Sequence, residues 1–549
     1  MADSAKELQL RDLKDSISEL NILIKSLQET IAEANAREAL LRQERDNFKE
    51  QVDYLTKKLF GTSSEKGISE IPGQMNLFNE AEAVQDPEAF TKEETTVAEP
   101  TEPEKKISKA RSSNADRFKG LPVEKIYLEP AVEERWCSVC GMPLEKIGTE
   151  FVRRELEYVP AKVKVLEFYS VNYGCSSCKE NAQIPYIVKG KDGRAHMIHG
   201  MASTGTVAWI IYQKYFNGMP LYRQEQDWKQ CGVRISRSTL ANWIIGNADD
   251  FFRPMYDYFR RKLLDRQFVM ADETPLQVLR EPGRRAETKS YMWLFRSGED
   301  GEAPIIIYKY SETRAGDNAV DFLHGFNGYL MCDGYSGYNK VPNAKRTACW
   351  THIRRYLIDA IPKGKQLDYT QPSVQGVMYV NKLFALEDDI KKKNKTFETI
   401  KEARISREGP VIEGFLRWLD KQVPIRGSRM DKAVTYIRNR IPYLKSYLED
   451  GRCSFSNNLS ENAIRPFVVG RKGWLFSVTP AGAEASAISY TMVEMAKANG
   501  VNIFHYLKFL LEKQPNGRMS DVELELLAPW NETIKAEIAQ RVNIARESG

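Results

Sequence analysis

Three acidic residues far apart in the chain stand in settings suited to phosphoryl-transfer chemistry: Asp272, Asp333 and Glu461. Asp272 ends the apolar run Arg266-Gln-Phe-Val-Met-Ala-Asp272, and Asp333 ends the similar run Gly328-Tyr-Leu-Met-Cys-Asp333. Glu461 lies in Asn457-Asn-Leu-Ser-Glu-Asn-Ala-Ile-Arg-Pro466, which reads as a loop and then a short helix capped by Ser460. Arg465, Arg471 and Lys472 follow it, with Trp474 close by. Oxygen ligands are what Mg²⁺ prefers. Two such ions about 3.5–4 Å apart activate an attacking oxygen and stabilise a leaving one in an in-line displacement at phosphorus. The basic neighbours would neutralise backbone phosphate. A single acidic residue is by default a solvated or capping carboxylate; joint context singles out these three.

Such residues need a scaffold. The apolar runs before Asp272 and Asp333, with Tyr291-Met-Trp-Leu-Phe295 and Ile305-Ile-Ile-Tyr308, suit strands buried on both faces under helices. Carboxylates at strand ends sit where α/β sites form. Side chains alternate along a strand, so Asp272 and Glu273 point to opposite faces and only one can join Asp333. The preceding apolar run favours Asp272; Glu273 stays a near-site group. The interval between Asp333 and Glu461 reads as largely helical over 377–391, 411–419 and 432–448.

Cysteine spacing carries a second chemistry. Cys137-Ser-Val-Cys140 and Cys175-Ser-Ser-Cys178 are two C-x-x-C knuckles, which read as a four-thiolate structural Zn²⁺ site. Alternating residues 155–159 and 163–169 between them predict strands, hence a zinc ribbon. Cys231, Cys332, Cys349 and Cys453 stand alone and read as buried small hydrophobes.

A helix from Leu221 to Cys231, a turn at Gly232-Val233 and a helix over 237–246 capped by Ser236 form a helix-turn-helix pattern. Its second helix presents Arg237, Ser238 and Asn242 on a polar side able to reach base edges or phosphates, with Leu240, Trp243 and Ile244 inward. An ordinary helical hairpin has the same pattern. Upstream, Leu13, Leu20, Leu27 and Leu41 at d, with Ile17, Ile24, Ile31, Val52 and Leu59 at a, make a heptad seam that favours a parallel two-stranded coil. Residues 62–120 are rich in Glu, Pro, Thr and Ser, acidic then basic, and predict a mobile linker.

The chain of 549 residues is 42% hydrophobic, which excludes wholesale disorder and suggests roughly three or four domains. No apolar stretch approaches the ~18 residues of a membrane span, and the charged N-terminus is no secretory signal. With eight cysteines, a reducing cytosol is expected. A net charge of only +5 hides segments of opposite sign.

Several longer stretches carry a family resemblance. Ala271-Asp-Glu-Thr-Pro275, Cys332-Asp-Gly-Tyr-Ser-Gly-Tyr338, Cys349-Trp-Thr-His-Ile-Arg-Arg355, Ser460-Glu-Asn-Ala-Ile-Arg-Pro466, Lys472-Gly-Trp-Leu-Phe476 and Lys58-Leu-Phe-Gly-Thr-Ser-Ser-Glu-Lys66 resemble the transposases of the insertion-sequence-sixty-six family. The resemblance spans nearly the whole chain. It implies a bacterial DDE transposase, with Asp272, Asp333 and Glu461 as catalytic acids holding two Mg²⁺ ions, or Mn²⁺ in their place. The implied fold is multidomain α+β: a coiled coil over 1–61, the linker over 62–120, the zinc ribbon over 121–190 and a helical DNA-binding domain over 191–262. A ribonuclease-H-like α/β core over 263–352 and 453–500 then carries a helical insertion over 353–452, with C-terminal helices over 501–549.

Implied partners are double-stranded DNA, as transposon ends and target, a homodimer or higher oligomer, and small accessory proteins of the same element. No membrane is involved, and the expected location is the cytoplasm, at the nucleoid. Cys349 and His352 form a C-x-x-H that is similar to one in DDE transposases with insertions. His352 can touch the scissile region or serve as a core histidine; Trp418 can stack on an unpaired base or pack in the insertion. His196, His199, His324 and His505 show no metal spacing. The competing reading is a DNA-binding regulator or nuclease of the same fold without strand transfer.

Overall fold

The computed structural model describes residues 201–362, 368–394 and 396–547, with 163–174, 187–189 and a few isolated upstream positions. The expectations for the coiled coil, the linker and all four knuckle cysteines lie outside the described residues. Strands β1 (Asn172–Gly174) and β2 (Ile187–Lys189) pair antiparallel and bracket the second knuckle. Residues 163–169, expected as a strand, have no regular structure, and their apolar side chains are exposed. Among the described residues no layer covers them, so their alternation has no face to bury.

Helix α1 (Thr204–Tyr215) is apolar and largely buried. Helix α2 (Leu221–Gln230) and helix α3 (Arg237–Asn247) follow, joined by a turn in which Gly232 takes a left-handed φ of 83°. The Ser236 hydroxyl accepts from Thr239 N at 3.2 Å and caps α3. Leu240, Trp243 and Ile244 are buried, while Arg237, Ser238 and Asn242 are exposed. A short π-helical turn leads into α4 (Arg253–Leu264).

The centre is a five-stranded sheet of β3 (Phe268–Gln277), β4 (Lys289–Ser297), β5 (Ile306–Ser311), β6 (Gly328–Cys332) and β7 (Ala344–Ala348), in the order β5-β4-β3-β6-β7. The first three run antiparallel; β6 joins β3 in parallel and β7 joins β6 in parallel. Helix α5 (Asp317–Phe322) lies between β5 and β6 in the chain. Alternation along β3 divides the interior. Val269 and Ala271 enter a core shared with α1, α3, α4 and the C-terminal helices; Phe268 and Met270 enter a second core.

That second core is shared with α6 (Trp350–Asp359), α7 (Pro372–Lys393), α9 (Gly409–Asp420) and α10 (Arg429–Arg438), while α8 (Phe397–Arg407) packs on α7 and α9. The long α11 (Asn458–Trp474) returns to the sheet and packs on β3 and β4. Helices α12 (Pro480–Ala498), α13 (Ile503–Lys513), α14 (Asp521–Glu525) and α15 (Glu532–Glu547) complete the chain. Among the described residues, no helix is long and apolar enough to cross a membrane.

Cys332, Cys349 and Cys453 are buried, but Cys231 is exposed, because it falls in the turn after α2 and not on its inner face. Glycine permits one close approach near the candidate site. A Cβ on Gly316 would collide with the Gly337 carbonyl, and backbone cannot yield as a side-chain end can. Gly316→Ala is expected to lower stability by about 1–3 kcal/mol, the usual range for overpacking; denaturant unfolding would read it.

Candidate active site

Strand pairing brings the first two acids together. Met270 lies opposite Met331 in the parallel register, so two residues further on Asp272 and Asp333 leave neighbouring strands at one level. Alternation puts both on the face of Met270 and Met331. Asp333 directly follows β6, as expected, but β3 continues to Gln277, so Asp272 is mid-strand. What ends near Asp272 is the parallel pairing, which leaves that side of β3 open. Pro275 is tolerated further along for the same reason.

The third acid arrives through a stitched pair of segments. Cys349 is the N-cap residue of α6, and its Sγ accepts from Asn457 N, the N-cap residue of α11, at 3.2 Å. Trp350 N donates to Phe455 O at 3.2 Å alongside. One turn on, His352 Nε2 lies 3.5 Å from Glu461 Oε1, and Arg355 Nη2 lies 3.7 Å from Glu461 Oε2. The spacings 349/352 and 457/461 each return to one helix face, so a contact at the caps aligns the second pair. From below, Arg296 Nη1 of β4 donates to Leu459 O at 3.0 Å. Ser460 is not the cap: α11 begins at Asn458, and the Ser460 hydroxyl donates back to Asn457 O at 3.0 Å. The helix is also longer than expected, running through Pro466 to Trp474.

The electrostatics record this convergence. Burial, and then the nearby charges of Glu273, Asp333 and Glu461, push the Asp272 carboxyl up to about 8, although its Oδ1 accepts from Glu273 N at 2.8 Å. Asp333 Oδ1 accepts from Tyr335 N at 2.8 Å. His352 is held below its usual value by burial and by Arg355 and Arg440, against the pull of Glu461 and Asp333. Burial thus favours the neutral ring. The structure brings His352 to the acids rather than into the apolar core.

Glu273 points to the other face, 1% exposed, where Arg314 Nε donates at 2.8 Å and Tyr338 Oη at 2.5 Å. Arg314 also reaches within 3.9 Å of Asp333 Oδ2. Sequence reasoning missed this arginine, since nothing near it in sequence marks it; only the fold brings it around the edge of β3.

Among the described residues, no group of three or more His, Cys, Asp or Glu side chains is gathered to hold a metal ion as it stands. The donor set nonetheless fits a hard divalent cation. It is all oxygen, its crowding raises Asp272, and Glu461 Oε1 is buried without a hydrogen-bond donor. Arg465 is half-buried on α11, as is Arg471, while Lys472 is exposed at the end of that helix. Arg237, Ser238 and Asn242 belong to a separate surface, since α3 packs on α1, α2 and α12. Trp418 takes the second of its two expected roles: it is buried against Phe415 and Tyr379, not presented to a base.

Comparison with known families matches this architecture. Residues 199–485, which include the sheet and all three acids, match the family described as Transposase IS66 family. Residues 134–179, with the four knuckle cysteines, match the zinc-finger binding domain of transposase IS66. Residues 47–126 match a family described as Transposase C of IS166 homeodomain. The chain belongs to the IS66 transposase family. Among curated proteins it is similar to three of Sinorhizobium fredii, each named an uncharacterized protein. It is 27% identical to y4qI, over 95% of this chain and 98% of that one. It is 28% identical to y4jD, over 75% and 81%. It is 26% identical to y4hP, over 74% of each.

The raised Asp272 carboxyl has a measurable consequence. Between its unfolded value of 3.8 and about 8, the folded chain keeps a proton that the unfolded chain releases, so stability falls as pH rises through that window. Asp272→Asn carries no such penalty. In EDTA its calorimetric unfolding temperature is expected to exceed wild type at pH 8, the gap closing towards pH 4.

Proposed function

We propose that this chain is a DDE transposase that binds the terminal inverted repeats of its insertion sequence and carries out strand cleavage and strand transfer. The observation that carries the reading is the shared level of Asp272 and Asp333 on parallel strands, with Glu461 delivered beside them by α11. A central β3, with an antiparallel pair on one side and parallel strands on the other, supports a ribonuclease-H-like core. The helices between β7 and α11 are the insertion such a core would carry.

Asp272, Asp333 and Glu461 are the residues that would hold two Mg²⁺ ions, or Mn²⁺, which supply activation of the attacking oxygen and charge stabilisation at phosphorus. Asp272 must first lose its proton. His352, neutral, can donate to Glu461 and hold that carboxylate in one orientation. Arg314 and Arg355 offset the acids and face the space where phosphate charge would arrive. In this reading water attacks the phosphodiester at the element's end, and the freed 3′-hydroxyl attacks target DNA at the same acids.

End recognition falls to the exposed Arg237, Ser238 and Asn242 of α3 and to the zinc ribbon, where Cys137, Cys140, Cys175 and Cys178 would hold Zn²⁺ in a closed four-thiolate set. Arg465, Arg471 and Lys472 contribute phosphate contacts. Because two ends must be held at once, a dimer or larger assembly is expected, with the N-terminal coil as one contact and small accessory proteins of the element as further partners. The protein would act at the bacterial nucleoid.

A joining assay on labelled end DNA tests this. With Mg²⁺, wild type is expected to yield nicked and joined products. Asp272→Asn, Asp333→Asn and Glu461→Gln should each lose at least about 100-fold in rate, since the metals supply several kcal/mol of charge stabilisation. Cleavage that ignores end sequence and gives no joined product would favour a plain nuclease. Wild-type rates in all three variants would end the catalytic assignment.

A further inference from the structure

The insertion places a second cationic feature beside Asp333. Arg440, just past α10, packs its guanidinium 3.4 Å from the Tyr436 ring centre, and its Nη1 donates to Tyr436 O at 2.5 Å. Tyr436 stacks in turn on Tyr356 of α6, with ring centres 4.0 Å apart. The head of Arg440 occupies the space a side chain at position 334 would need: a Cβ on Gly334 would overlap Arg440 Nη2. Among the described residues, Arg440 has no carboxylate partner. It is an oriented, uncompensated positive charge next to a candidate catalytic acid.

From the other side, Arg346 Nη2 donates to Asp333 O at 2.8 Å and to Cys332 Sγ at 3.1 Å, and its guanidinium lies 4.8 Å from the Tyr443 ring centre. Between the two arginines is a cavity of about 310 Å³ lined by Gly334, Asn339, Arg346, Asn439, Arg440 and Tyr443. A second cavity of about 280 Å³ shares Asn339, Arg346 and Tyr443 with it. Among the described residues, neither is lined by a carboxylate. The Nη groups of Arg346 are taken up by Asn339, Cys332 and Asp333 O, so the lining offers the Arg440 guanidinium and side-chain amides. Planar, pre-oriented guanidinium is the donor geometry that matches phosphate.

We infer that this cavity seats one backbone phosphate of a DNA strand adjacent to the scissile one, with Arg440 as its principal donor. This rests on the catalytic reading for the word scissile, but the site itself needs neither metal nor chemistry. The insertion thereby becomes part of the substrate surface, and Gly334 is required because it lets Arg440 approach the chain beside Asp333.

The test uses the full-length protein, a short fluorescein-labelled DNA duplex and EDTA, with anisotropy read across a KCl titration. Arg440→Ala is expected to weaken binding by about 10- to 100-fold, the usual cost of a hydrogen bond to a charged group, and to lower the salt slope by about one. Arg440→Lys keeps the charge but not the fork, so its slope should match wild type while its affinity falls between the two. Wild-type affinity and slope in Arg440→Ala would overturn the assignment. Should that variant fail to fold, wild-type affinity in Arg440→Lys would overturn it instead. A wild type that binds with these differences but never nicks DNA in Mg²⁺ would defeat the catalytic reading and leave this site standing.

Discussion

The parallel pairing of β3 with β6, buried on both faces, is the constraint from which the candidate site follows. Parallel neighbours run in one direction, so the register that matches Met270 to Met331 delivers Asp272 and Asp333 at one level. A slip of one residue would turn Asp272 to the opposite face. The register cannot drift, because Phe268 and Met270 are committed to one core and Val269 and Ala271 to the other. Burial of apolar side chains thus sets the position of polar ones that contribute nothing to burial themselves.

That positioning opposes stability. Asp272, Glu273, Asp333 and Glu461 lie close enough to disturb one another, and the two arginines that approach Asp333 and Glu461 do so at 3.9 and 3.7 Å, beyond good hydrogen-bond length. Only Glu273 is well paired, by Arg314 and Tyr338. The contrast between adjacent residues is informative. Glu273 is neutralised by the protein itself, whereas Asp272 is left with like charges around it. The proton that Asp272 retains up to about 8 relieves that crowding.

The legible parts of this fold were those with a local signature. Ser236 followed by an amphipathic helix announces α3, and two apolar runs ending in aspartate announce β3 and β6. The illegible parts depend on contacts between distant segments. Strand β7 has the sequence Ala-Lys-Arg-Thr-Ala, which lacks an apolar run; Arg346 is buried in it with its Nη groups taken up by Asp333 O, Cys332 Sγ and Asn339. Alternation predicted that only one of Asp272 and Glu273 would join Asp333, but the Asp333 charge acts on both carboxyls and Arg314 approaches both Glu273 and Asp333. The spacing of Cys349 and His352 left the role of the histidine open; the structure uses the cysteine as a hydrogen-bond acceptor and the histidine as a neighbour of Glu461.

The helices between β7 and α11 show why a long excursion need not be a loose one. Among them, α8 carries Arg404, fully buried, which donates to Glu387 of α7 at 2.9 and 2.6 Å and to the carbonyls of Tyr447 and Asp450 beyond α10. Tyr447 in turn donates to Glu408 at 2.6 Å. A charge removed from water so completely needs its donors placed, and here α7 and the segment beyond α10 place them. The same segment that receives Arg404 leads through Cys453 and Phe455 to Asn457, and from there to Glu461. The long excursion between Asp333 and Glu461 is thus tied by hydrogen bonds to the stretch from which the chain re-enters the sheet.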